Sequence, residues 1–305
     1  MPSEFEIIRR YFSRPSPHAL LGVGDDAALL RPAAGCELAV STDLLLEGRH
    51  FAVRAAPRAL GHKALAVNLS DMAAMGATPR WATLALALPA ADEAWLEEFA
   101  AGFYALAARF GVDLVGGDTT RGPLALCVTI LGEVPAGTAL RRDGARVGDD
   151  IWVSGELGGA AFALEHPENA RAARRLHEPE PRVTLGERLR GLASAAIDVS
   201  DGFAQDLGHI LERSAAGAVV RYADLPKFPI ADPVLERRCV LAGGDDYELL
   251  FTAPPAARAA IEALAAPLGV ALSRVGSIEA GAPRLQLRDA QGREMRVTPG
   301  FDHFA

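Results

Sequence analysis

Residues 151–164 read IWVSGELGGAAFAL: a short apolar run, a turn broken by glycine, then a second apolar run with helical spacing. A run too short for a helix, followed by Gly and then by a longer periodic segment, reads as strand, loop and helix. The same alternation recurs as far as YELLFT at 247–252, which places this half of the chain in the α/β or α+β class. Moving outward toward the N-terminus, GTALRRDGARVGDD at 137–150 is polar and glycine-rich between apolar runs, the composition of a boundary. With 305 residues, 50% of them hydrophobic, the chain is long enough for two domains, and the expected division is 1–140 and 141–305.

Before that boundary, strands are expected at Glu37 to Ser41, ending ahead of Thr42-Asp43, at Thr83 to Leu88, and at 112–115 and 124–134 on either side of GGDTTRGP. Residues 57–76 have a helical pattern, with Pro57 suited to the first turn and Gly76 to the end. A second helix is expected where Asp92 can cap, Trp95, Phe99, Phe103, Leu106 and Phe110 recur at helical spacing, and Gly111 can terminate. Residues 1–19 form a lead-in arm carrying Phe5, Ile8, Tyr11 and Phe12 ahead of Pro15 and Pro17. Residues 167–190, rich in Arg, Glu and Pro, read as a solvated connection with a short helix, uninformative about chemistry.

The net charge of -8 and the lack of a basic stripe with interleaved aromatics argue against a nucleic-acid partner. Lysine occurs only at 63 and 227, so any cationic clamp is built mostly of arginine, whose planar fork suits phosphate. Cys36, Cys127 and Cys239 are widely spaced and form no metal or redox motif, which fits a reducing compartment. No stretch reaches the roughly 18 apolar residues of a membrane span, and MPSEFEIIRRYF lacks the apolar core of a signal peptide. The expected location is the cytoplasm, with no membrane partner.

Aspartate recurs where apolar segments end or turn: Asp25 and Asp26 in GVGDD, Asp43 in STD, Asp71 in NLSD, Asp118 in GGD, and Asp198 and Asp201 in DVSDG. Two carboxylates about 4 Å apart repel by roughly 4 kcal/mol at an effective dielectric near 20, so a converging set needs protons or cations. Hard oxygen ligands without nearby Cys or His suit Mg²⁺, which bridges carboxylates to substrate phosphates. Ser41 and Thr42 add hydroxyl oxygens beside Asp43, and Asn68 shares a helical face with Asp71. Gly116, Gly117 and Gly202 would let backbone approach a nucleotide closely. The chain has no GxxxxGK[ST] loop, no HRD or DFG element and no HExxH helix, so any ATP chemistry uses a different architecture.

The stretches GVGDDAALL (22–30), STDLLLEGRHF (41–51), GHKALAVNLSDMAAMGATP (61–79), GGDTTRGP (116–123), AIDVSDGFAQDLGHI (196–210), GGDDYELLFT (243–252) and PGFDHF (299–304) resemble the thiamine-monophosphate kinase family in order and from end to end. The resemblance implies the two-domain α/β fold of the aminoimidazole ribonucleotide synthetase-like superfamily. It also implies an N-terminal domain that binds metal and ATP and builds a dimer-spanning β-barrel, a C-terminal α/β domain that completes the sites, and a homodimer. Carried over position by position, it makes Asp26, Ser41, Thr42, Asp43, Asp71, Asp118, Asp198 and Asp201 metal-associated, with Asp71, Asp118 and Asp201 central to catalysis. Tyr104, Gly117, Asp118, Arg142 and Ser200 would line the ATP site; His50, Glu248 and Phe301 would meet the acceptor. Phe301 stands where the family commonly has Trp or Tyr, and Asp245 where it has Glu.

The implied reaction is direct in-line transfer from ATP, with several Mg²⁺ ions, to thiamine monophosphate, giving thiamine diphosphate. The alternatives are another ATP-dependent synthetase of the superfamily, or a regulator that binds Mg²⁺ and nucleotide without catalysis. Against the first, the arm before GVGDD has no Cys or Lys, and the chain ends GFDHFA without a terminal Cys.

Overall fold

The structure, a computed structural model, describes residues 3–296. The chain divides into two units: the first runs to Met72 and resumes over Ala77–Gly137, and the second takes Ala73–Gly76 and the described residues from Thr138 onward.

In the first unit the arm opens with α1 (Glu4–Ile7), started by a capping box in which Ser3 accepts from the Glu6 backbone while the Glu6 carboxylate accepts from the Ser3 N–H. The arm continues as a π-helical turn over Ile8–Phe12. The small pair β1 (Ala19–Leu21) and β2 (Leu29–Leu30) follows, then β3 (Cys36–Leu46), α2 (Pro57–Ala74), β4 (Thr78–Leu88), α3 (Glu93–Phe110), β5 (Asp113–Arg121) and β6 (Ala125–Pro135). The last four strands named as β3 to β6 form one sheet in the order β3-β6-β4-β5, antiparallel except for the parallel pair β4 and β5. That parallel pair needs a crossover, which α3 supplies. Asp92 caps α3 through two backbone N–H groups, and Gly111 ends it in the left-handed conformation, as the sequence predicts. Gly61 of α2 and Gly102 of α3 sit where the two helices cross: a Cβ at Gly102 would collide with the Arg58 carbonyl, and one at Gly61 with that of Phe99.

Two strands are longer than expected. β3 runs on through Thr42 and Asp43 to Leu46, with 11 consecutive partners on β6; this pairing overrides the poor strand preference of Asp. β5 likewise continues through Gly117, Asp118 and Arg121. Strand alternation gives β3 two different faces. Leu38, Val40, Thr42, Leu44 and Leu46 are exposed on one, whereas Ser41, Asp43 and Leu45 are at least partly covered on the other. Among the described residues the sheet is open, with β3 and β5 as its edges.

The second unit contains β7 (Asp150–Ser154), α4 (Gly159–Glu165), α5 (Ala170–His177), α6 (Val183–Leu189), β8 (Ala195–Asp198), α7 (Phe203–Ser214), β9 (Gly217–Arg221), α8 (Pro233–Ala242), β10 (Leu249–Ala253), α9 (Arg258–Leu268), β11 (Leu272–Glu279), β12 (Leu285–Arg288) and β13 (Glu294–Met295). Its seven strands run β13-β12-β9-β11-β7-β10-β8, antiparallel except for β12 beside β9. Ile151, Val153, Ile197, Phe203, Leu207, Leu250 and Ile278 form the core between sheet and helices. The stretch expected to be a solvated connection instead supplies two helices, α5 and α6, which bury Ala172, Leu176, Val183, Leu185 and Leu189. Their few apolar residues fall on one face at helical spacing, and the surrounding arginines hide that face in the composition. No described helix is long and apolar enough to cross a membrane.

Candidate active site

In the first unit a cavity of about 760 Å³ lies along the edge strand β5. Gly117 and Asp118 come from β5, Thr83 and Leu84 from β4, Asp25 and Asp26 from the loop after β1, and Phe5, Ile8 and Phe12 from the arm. Gly117 has φ +146 and lies so close to β4 that a Cβ would overlap the Leu84 carbonyl, so this strand presents bare backbone at that point. The Asp26 N–H donates to Asp25 Oδ1 at 2.9 Å, fixing the turn that carries both carboxylates. Asp26, Gly117 and Asp118, three of the expected site residues, thus share one cavity.

A second cluster joins β3 to α2. Ser41 Oγ donates to Asp71 Oδ2 at 2.5 Å. Burial, then the neighbouring charge of Asp71, pushes the Asp43 carboxyl up to about 7. One α-helical turn before Asp71, Asn68 is fully buried; its amide donates to the Ala64 carbonyl at 3.0 Å, while its Oδ1 has no partner among the described residues. Thr42 faces the other way and shares a 2.8 Å hydroxyl contact with Thr129 of β6, so the structure separates its side chain from Ser41, Asp43 and Asp71. His50 sits in the turn after β3, where its Nδ1 accepts from the Leu46 N–H at 3.0 Å. In the neutral ring the hydrogen is then on Nε2, which makes that atom the donor of the ring. Tyr104 is buried in α3, and its hydroxyl donates to the Phe12 carbonyl at 3.0 Å, which ties it to the arm.

In the second unit Asp198 ends β8, and the following turn is gathered by one atom. Asp206 Oδ2 accepts the N–H groups of Ser200, Asp201 and Gly202, each at 3.1 Å. Burial, then Asp198 and Asp201, push the Asp206 carboxyl up to about 8. Asp201, Asp206 and His209 each offer a ligand atom within 4.8 Å of the others. The turn is also stapled to the segment before β10, since Asp245 N–H donates to the Ser200 carbonyl and Tyr247 N–H to that of Val199. Arg142 is exposed in the loop before β7, its carbonyl accepting from Ser214 Oγ at 2.9 Å. Asp206 is not singled out by the sequence: it lies one residue beyond the N3 position of a capping box that would start at Gly202, so no spacing rule marks it.

Glu248 is 1% exposed and fully engaged. Ser154 Oγ donates to it at 2.6 Å, Arg175 Nη1 at 2.9 Å, and Arg182 clamps both oxygens through Nε at 2.6 Å and Nη2 at 2.5 Å. Gly155, φ +59, is required beside it because a Cβ would run into the carboxylate. Both arginines come from the stretch that composition had marked as uninformative. Phe301 lies outside the described residues.

The donor chemistry fits magnesium. The acids are hard oxygen ligands, Asn68 keeps an unsatisfied buried oxygen beside Asp71, and the like charges around Asp43 and Asp206 are what a divalent cation neutralises. A cavity lined by carboxylates and by bare backbone at Gly117 is a setting for a metal-bound polyphosphate.

Comparison with known proteins identifies the family. Residues 24–134 match the family model for the N-terminal domain of AIR synthase related proteins, and residues 146–288 match that for the C-terminal domain. The fold and its acid-lined sites thus define a two-domain α/β protein of the AIR synthase related class. The chain is 44% identical to the thiamine-monophosphate kinase of Salmonella typhimurium, over 99% of this chain and 98% of that one. It therefore belongs to the thiamine-monophosphate kinase family. Among solved structures, the thiamine-monophosphate kinase of Stenotrophomonas maltophilia K279a superposes with a TM-score of 0.85 at 48% identity, covering 95% of each chain. A structure described as AaThiL complexed with AMPPCP and TMP superposes with a TM-score of 0.77 at 28% identity, covering 90% of this chain and 89% of that one.

Proposed function

We propose that this chain phosphorylates thiamine monophosphate with ATP to give thiamine diphosphate and ADP. The observation that carries the reading is the end-to-end likeness to thiamine-monophosphate kinases, 44% over 99% of the chain; the solved relative with AMPPCP and TMP supports the same pair of substrates. The acceptor phosphate is already largely ionised near neutral pH, so it needs no strong general base. The obstacle is bringing two anions together.

Several Mg²⁺ ions would offset that repulsion when bound, held by Asp26, Asp43, Asp71, Asp118, Asp198 and Asp201, with Ser41 and Thr42 as oxygen-bearing neighbours. Asp71, Asp118 and Asp201 are assigned the catalytic share of this work. Gly117 admits the nucleotide phosphates to bare backbone, while Ser200 and Arg142 are assigned to ATP from the C-terminal side. His50 donates through Nε2 toward the acceptor. Glu248 serves the acceptor side by holding Arg175 and Arg182 in place, and Phe301 is assigned to the acceptor ring. Tyr104 supports the ATP site through the arm it anchors. The transfer is direct, without a phosphoenzyme, because alignment and charge compensation are the main requirements.

On this reading residues 1–140 bind metal and ATP and dimerise, and 141–305 complete both sites. The exposed apolar row Leu38, Val40, Leu44 and Leu46 supports a homodimer in which the open sheet continues into a barrel with a second copy. Unpaired Cys36, Cys127 and Cys239 support a cytoplasmic location.

The test is chromatographic. Purified protein with ATP and Mg²⁺, with and without thiamine monophosphate, should release ADP and thiamine diphosphate in equal amounts, and only when both metal and acceptor are present. ATP hydrolysis without thiamine diphosphate would overturn the acceptor assignment.

A further inference from the structure

We propose that the N-terminal arm is the nucleobase wall of the first-unit cavity: Phe5 and Ile8 cover the base of the magnesium nucleotide, whose phosphates run toward Gly117, Asp118 and Asp26. The proposal rests on the ATP reading above and adds where the base goes and what holds it.

The arm has two faces with different roles. Ile7, Tyr11 and Phe12 are buried. The Phe12 ring meets Phe99 of α3 edge-on at 6.4 Å, the Tyr104 hydroxyl donates to the Phe12 carbonyl, and the Arg14 guanidinium lies 3.7 Å over the Tyr104 ring. Arg10 pairs with Glu93 at the start of α3, and the Ser3–Glu6 box restrains the free end. These contacts hold a short segment that could not be stable by itself. The face left over carries Phe5, which is 75% exposed although it lines the cavity, together with Ile8. A π-helical turn lies between the exposed ring and the last anchor, a distortion that recurs at functional sites.

The lining of the cavity is of two kinds. Phe5, Ile8 and Phe12 of the arm offer apolar and aromatic surface beside Arg9 and Ser13, whereas Asp25, Asp26 and Asp118, with bare backbone at Gly117, offer a setting for metal and phosphate. Its volume of about 760 Å³ falls within the range of roughly 300–1,000 Å³ typical of small-molecule sites. A ligand with one flat apolar part and one polyanionic, metal-bearing part matches those two kinds of lining. A nucleoside triphosphate with Mg²⁺ has both parts.

The experiment is calorimetric titration of the full chain with Mg–AMPPCP, paired with steady-state kinetics. Phe5→Ala removes a ring that water already reaches, so the melting midpoint should stay at the wild-type value. Loss of that wall should weaken Mg–AMPPCP about ten-fold and raise KM for ATP by a similar factor, with KM for thiamine monophosphate unaffected. Phe5→Trp should restore binding. Magnesium tripolyphosphate, which lacks a base, should bind wild type and Phe5→Ala alike. Wild-type affinity for Mg–AMPPCP in both Phe5→Ala and the Phe5→Ala/Ile8→Ala double variant would overturn the proposal, as would an equal loss for tripolyphosphate. Arm-dependent binding of Mg–AMPPCP by a protein that makes no thiamine diphosphate would sustain the wall and overturn the kinase reading, so the two fail separately.

Discussion

Asp43 carries its proton to an unusually high pH because burial and the Asp71 charge both oppose ionisation, holding its carboxyl near 7. In the unfolded chain an aspartate ionises near 3.9. Between those values the unfolded state binds fewer protons than the folded one, so metal-free stability falls as pH rises from about 4 to about 7 and levels off above; Asp206, near 8, extends the fall by about one unit. Melting midpoints in EDTA should decline across that window, and Mg²⁺ should raise them more at pH 8 than at pH 5. Asp71→Asn should lower turnover by at least about 100-fold at saturating Mg²⁺ with the far-UV spectrum unchanged; wild-type turnover would remove Asp71 from the site. Arg182→Met would strip a buried carboxylate of its two-oxygen clamp and should cost about 3–5 kcal/mol in denaturant unfolding. The aspartates could be read from the sequence because each stands at the end of an apolar run. Glu248 could be read only through its motif, and its arginine partners not at all, since they lie 66 and 73 residues away in the chain. Asp245 adopts φ +66, a left-handed conformation that a short acid tolerates better than most side chains, which gives the exchange from Glu at this position a backbone rationale.

At the level of elements, the clearest sequence signals were boundary residues. Asp92, Gly111 and Pro57 mark their helices in the structure at the positions their chemistry dictates. Strand ends were less readable, because Thr42-Asp43 and Gly116 to Arg121 have turn composition and remain extended only through their neighbours β6 and β4. Of helices α5 and α6 the sequence shows one short helix and neither buried face, for a related reason: Ala172, Leu176, Val183 and Leu185 are few among many arginines, and only the tertiary partner shows that they form a face. The crossing of α2 and α3 depends on backbone contact at Gly61 and Gly102. Gly102→Ala should therefore destabilise the protein by about 1–3 kcal/mol through overpacking, despite the better helix propensity of alanine, which alone would give a gain of up to about 1 kcal/mol. Urea unfolding decides the sign.

For the molecule as a whole, the two-domain class was apparent from the alternation of elements, whereas assembly was implied only by resemblance, since apolar residues on alternate strand positions look the same whether they face a core or a partner. The exposed row on β3 gives assembly a test. Val40→Asp with Leu44→Asp should halve the mass seen by sedimentation equilibrium, from two chains to one, and leave the circular dichroism of the folded chain intact; a wild-type mass for this variant would assign the row to another role. The same strand has a further consequence. Ser41 and Asp43 face the acid cluster, while Val40 and Leu44 face outward, so neighbouring codons in this stretch answer to different selective pressures. Across a lineage the first set can change only with the chemistry, and the second can exchange freely among residues of similar shape. Mutational tolerance along β3 should therefore rise and fall with a two-codon rhythm.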